Sequence, residues 1–94
     1  MITFEKIKLK MIELGAIEDN DGDIVFNTDT QSIVYYDKDD TLAVSSAKGF
    51  TSEYMGSLLE YPLNIGCQII WNQYLIPNNI ITQEEYDELC KAKS

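Results

Sequence analysis

Chemistry in this 94-residue chain has to start from its carboxylates. Between residues 18 and 40 stand Glu18, Asp19, Asp21, Asp23, Asp29, Asp37, Asp39 and Asp40, against the single cation Lys38. This stretch carries seven of the nine net negative charges of the chain. Carboxylates at such spacing can hold a hard cation, exchange protons as a pair, or present an electrostatic field to a basic partner. The EF-hand pattern tests the first use. With Gly22 in its sixth position, Asp19 and Asp21 fall third and fifth, but Ile17 and Thr28 occupy the first and twelfth, where carboxylates belong. The calcium loop fails at both ends. A loose, weak divalent site between the turns is all that survives, and neither a metal nor a cofactor is expected. Proton exchange fares no better, because turn acids such as Asp39 and Asp40 have no apolar pocket to drive their pKa values apart.

Other residue types narrow the choice further. The chain has no histidine, and all seven of its cations are lysines. The commonest general base and metal ligand is therefore missing, as is the guanidinium fork that reads phosphate and guanine. Its serines have no histidine to activate them. Cys67 lies in the most apolar part of the sequence and reads as a small core residue, and Cys90 follows acids that disfavour a thiolate. No glycine-rich phosphate loop occurs. A non-enzymatic chain is the expectation. The net charge of −9 repels nucleic acid and anionic membrane, and favours a basic protein partner. No apolar run is long enough for a signal peptide or a membrane span, and two distant cysteines read as reduced thiols. The expected location is the cytoplasm.

The elements that position these acids can be read from periodicity. Thr3 can cap a helix to Leu14, with Phe4, Ile7, Met11 and Leu14 on one face and Gly15 as its stop. Three β-rich runs follow, Asp23–Asn27, Ser32–Asp37 and Asp40–Ser45, separated by polar turns. If Asn27 opposes Ser32 and Tyr36 opposes Thr41, then Ile24, Phe26, Ile33, Tyr35, Leu42 and Val44 share one face. The other face carries an apolar stripe of Val25, Val34 and Ala43 ending at Tyr36. Thr51 is expected to cap a helix to Tyr61, with Phe50 stapled on Met55, and Pro62 breaks it. A very apolar helix, about Leu63 to Leu75, should sit centrally. Thr82 and Glu85 form a capping box for a last helix to about Ala92. That helix cannot read DNA, since acids stand where cations are needed.

The expected fold is a single α+β domain over residues 1–94. It has an N-terminal helix, a three-stranded antiparallel meander, and two to three C-terminal helices packed on one sheet face. In this topology the start of the first strand and the turn after the second lie at the same end of the sheet. Every acid of the cluster except Asp29 should gather there.

Helix, meander and helices in an arginine-free acidic chain of this size resemble small phage-encoded anti-CRISPR proteins that block Cas9. The likeness is carried by element order and by Asp19, Asp21, Asp23, Asp37, Asp39 and Asp40. It implies an inhibitor that covers a basic DNA-binding surface, PAM-reading site included, with carboxylates. The leading expectation is such a protein-binding inhibitor. The six aspartates would supply charge, and Tyr36 a contact anchor. An assembly protein that self-associates through the Trp71 helix, as a homodimer, is the alternative. An immunity protein against a basic nuclease would share the same physics.

Overall fold

The computed structural model describes residues 1–94, and its first helix is set by the residues that bracket it. The Thr3 hydroxyl accepts from the Lys6 amide at 3.1 Å, satisfying one orphan donor of the first turn. α1 (Phe4–Glu13) then buries Ile7 and Met11, and Gly15, at φ +107°, takes the left-handed conformation just beyond its end.

The sheet has five antiparallel strands, each paired with the next in sequence. They are β1 (Ile17–Glu18), β2 (Ile24–Asn27), β3 (Gln31–Tyr36), β4 (Thr41–Ser46) and β5 (Gly49–Tyr54). The register is the one the hydrophobic pattern demands: Asn27 opposes Ser32 and Tyr36 opposes Thr41. Ile24, Ile33, Tyr35, Leu42 and Val44 are therefore buried on one face, with Phe26 half-buried beside them.

The α+β class holds, but the strand count is five instead of three. β1 has only two residues, too few to display an alternating pattern. β5 replaces the expected start of a helix. Thr51 caps nothing and pairs with Val44, while Phe50 pairs with Ser45 and is exposed instead of stapled on Met55. The run Gly49–Tyr54 is rich in β-formers and alternates Phe50 and Tyr54 against Thr51 and Glu53. The two-residue turn Ala47-Lys48, with Gly49 at φ +136°, folds this run back on β4, so period two wins over the local capping signal.

α2 (Met55–Glu60) starts directly from β5 without a side-chain cap, and the Met55 amide instead donates to the Asp40 carbonyl at 2.9 Å. Past Pro62, α3 (Ile65–Ile70) runs into a π-helical segment, Trp71–Leu75. The expected continuous helix from Leu63 thus starts later and widens halfway. Side-chain amides meet the carbonyls near its end: Gln31 donates to Gln73 at 2.9 Å and Asn78 to Tyr74 at 2.7 Å. α4 (Gln83–Lys93) opens with the expected capping box of Thr82 and Glu85.

All helices supply one layer, and the core lies between them and one sheet face. Trp71 is wholly buried there, its indole N–H donating to the Leu58 carbonyl at 3.2 Å and its ring 5.4 Å from that of Tyr86. It is central, as its surroundings in sequence predict. Its own side chain is therefore closed to solvent, although Leu63 and Ile65 at the start of the same helical stretch are exposed. No residue of the opposite sheet face belongs to the core cluster. No helix is long and apolar enough to cross a membrane.

Candidate functional site

The two acidic loops meet at one end of the sheet. The first is the three-residue hairpin loop Asn20-Asp21-Gly22, closed by the Gly22 amide donating to the Asp19 carbonyl at 3.1 Å. Gly22, at φ +82°, supplies the left-handed residue this loop needs. The Asp19 carboxylate accepts from the amides of Asp21 and Asp23 at 2.9 and 3.0 Å, which stiffens the loop from inside. The second loop, Asp37 to Asp40, joins β3 to β4. The Asp23 carboxylate bridges the two by accepting from the Asp37 amide at 2.9 Å. A side chain added at Gly22 would lie 3.6 Å from an Asp37 carboxylate oxygen, so the loops are in lateral contact.

Of the residues singled out from sequence, Asp19, Asp21, Asp37 and Asp39 are exposed and Asp23 is half-buried, all at this end. Carboxylate oxygens of Asp19, Asp21 and Asp23 lie within 4.8 Å of one another. Neither loop is buried beneath a helix. Asp40 is exposed at the same end, and its carboxylate also accepts from the Tyr35 hydroxyl at 2.8 Å. Burial of Tyr35, followed by this bond and the Asp40 charge, pushes the phenol up to about 12. Asp40 thus also ties the loop to β3. Tyr36 stands on the opposite, helix-free face and is 41% exposed.

The pairing extends the apolar stripe beyond what the sequence revealed. Ile17, Val25, Val34, Ala43 and Ser52 form one row across all five strands, and Tyr36, Thr41 and Tyr54 form a second row nearer the acidic loops. Ile17, Tyr54 and Phe50 were missed because they lie on the two strands that were not recognised. The alternation of Phe50 and Tyr54 with Thr51 and Glu53 was the signal that could have found two of them.

The cysteines are placed as small apolar residues. Cys67 is fully buried, its thiol donates to the Ser57 carbonyl at 3.6 Å, and burial, aided by the Glu53 charge, pushes it up to about 11. A thiolate is strongly disfavoured at that site.

Taken together, the arrangement can attract a cationic surface through two hydrogen-bonded acidic loops and present to it the tyrosines at the adjoining strand ends. Comparison with protein-family models, with curated proteins and with solved structures found no match to this chain.

Proposed function

We propose that this chain is a non-enzymatic protein-binding inhibitor, encoded by a phage or mobile element, that docks its acidic sheet end on a basic nucleic-acid-binding site. The observation that carries the reading is the bond from the Asp37 amide to the Asp23 carboxylate, which fuses two acidic loops into one pole. Repulsion among so many like charges opposes folding, so a surface that concentrates them has a use for the field. Competition is then both steric and electrostatic: carboxylates take the place of phosphates on lysines and arginines of the partner.

The test is displacement of fluorescent duplex DNA from Cas9-type effectors and other basic nucleic-acid-binding proteins by the full chain. Displacement should weaken steeply with added salt. Joint replacement of Asp19, Asp21, Asp37 and Asp39 by Asn should abolish it, with folding checked by circular dichroism. Salt-insensitive displacement, or full activity of that variant, refutes the proposal.

A further inference from the structure

We propose that the helix-free face of the sheet is the contact surface for a basic protein partner, which inserts apolar side chains over the stripe while its cations meet the acidic pole. This rests on the reading above that the partner is basic, and adds where the partner sits and what holds it.

Exposure carries the first part. Ile17 is 71% exposed, Phe50 69% and Tyr54 65%, all on the face that no helix covers. Ala43 is the one buried residue of this face, and it lies outside the core cluster because neighbouring strands, not helices, shield it. An apolar centre with tyrosines beside it and charge at its rim has the composition of an interface core, where aromatic residues supply most of the affinity. Tyr36 and Tyr54 stand on the row between the stripe and the acids, so an occupant that spans the stripe and this row reaches the pole.

Charge complementarity selects the occupant. None of the five strands contains a lysine. At the near rim stand Glu18, Asp19, Asp21, Asp23, Asp37 and Asp39 with Lys38 alone, and at the far rim Asp29 and Lys48 cancel. A second copy of the chain would set this acidic pole against either its own like or a neutral rim. Neither complements it, whereas a cationic surface does.

The experiment is selection of random peptides, displayed on phage, against the full chain. Recovered peptides should combine Lys or Arg with Leu, Ile, Phe, Tyr or Trp. Their affinity should fall about tenfold or more with Phe50→Ser/Tyr54→Ser, the loss of two aromatic anchors. It should fall similarly with Ser52→Lys, which plants a cation on edge strand β5 between Phe50 and Tyr54 without removing an apolar side chain. Thermal melts establish that both variants fold. Recovery of no binders, of peptides without cations, or of peptides indifferent to both variants overturns the proposal. So does a dimer in sedimentation equilibrium that these same substitutions dissociate, since the face then belongs to a second copy. Peptide capture that responds as stated while DNA displacement fails keeps the surface and removes the inhibitory role. DNA displacement unaffected by the face variants removes the surface and keeps the role.

Discussion

Two acids only two residues apart should respond to neutralisation with opposite signs. Asp23 is half-buried and accepts the one bond that ties the acidic loops together, from the Asp37 amide at 2.9 Å. A hydrogen bond to a charged acceptor contributes about 1.5 kcal/mol at the lower end of its range, the end suited to a partly solvated pair. Asp21 is exposed, its carboxylate receives no hydrogen bond from the protein, and it lies within 4.8 Å of the Asp19 and Asp23 carboxylates. Each such pair repels by roughly 0.9 kcal/mol in water-like surroundings and roughly half that at physiological salt. Part of the repulsion persists in the unfolded chain, where these acids remain sequence neighbours, which leaves about 0.5 kcal/mol acting on the folded state. Asp21→Asn should therefore raise Tm by about 2–4 °C. Asp23→Ala, losing the bond but gaining the same relief, should cost about 1 kcal/mol and lower Tm by about 4–8 °C. High salt sharpens the contrast. At a Debye length of about 3 Å the Asp21→Asn gain vanishes, while the cost of Asp23→Ala grows toward about 1.5 kcal/mol. Thermal melts followed by circular dichroism at low and high salt make the measurement. A fall in Tm for Asp21→Asn, a gain that persists at high salt, or a neutral Asp23→Ala would refute the assignment of scaffold and field to different acids of one cluster.

Trp71→Phe should lower stability by about 2–4 kcal/mol in urea denaturation, from lost volume and from a Leu58 carbonyl left unpartnered, without altering the sedimentation coefficient of the folded chain. Glu85, held below the usual carboxylate range by the Lys6 ammonium at 2.7 Å and then by the Thr82 amide, contributes stability that is present above its unfolded pKa and lost as pH falls through its lowered folded value. The stability gap between wild type and Glu85→Gln should accordingly be full at neutral pH and close under acid, as denaturation across that range will show. Tyr35 and Tyr86 are both pushed up to about 12, chiefly by burial, so the stability tied to their protonated forms is full below an ordinary tyrosine value of about 10 and fades between there and 12. Phenolate absorbance and circular dichroism should then change together in that window, and Tyr35→Phe should make the loss with pH shallower.

The meander and its flanking helices were legible where one physical signal acted alone. Ile24, Ile33, Tyr35, Leu42 and Val44 alternate with polar or small residues, and a shift of one position would expose them all, so the register of β2 to β4 followed from the pattern. Thr3 and the Thr82–Glu85 pair marked helix starts through side-chain chemistry that needs no tertiary context. At Thr51 two signals competed. A capping residue four positions before Met55 looked like a helix start, but pairing with β4, a contact visible only in three dimensions, claimed it for a strand. The widened turn at Trp71–Leu75 was illegible for a related reason: the amides meeting its carbonyls come from Gln31, some forty residues away, and from Asn78 beyond the helix. The gathering of the acids followed from topology alone, because an antiparallel return fixes which loops share an end. The bond from the Tyr35 hydroxyl to Asp40 did not, since it depends on the hydroxyl being within reach.

A sheet covered on one side only divides the labour among its own residues. Along β3, Ile33 and Tyr35 answer to the packing of the helices, while Val34 and Tyr36 answer only to their neighbours on adjacent strands. Substitutions on the uncovered side can thus accumulate without disturbing the interior, within the modest limits set by strand propensity. The exposed positions of that side, such as Ile17, Phe50 and Tyr54, are therefore the ones where the surface can be recast while the fold is retained.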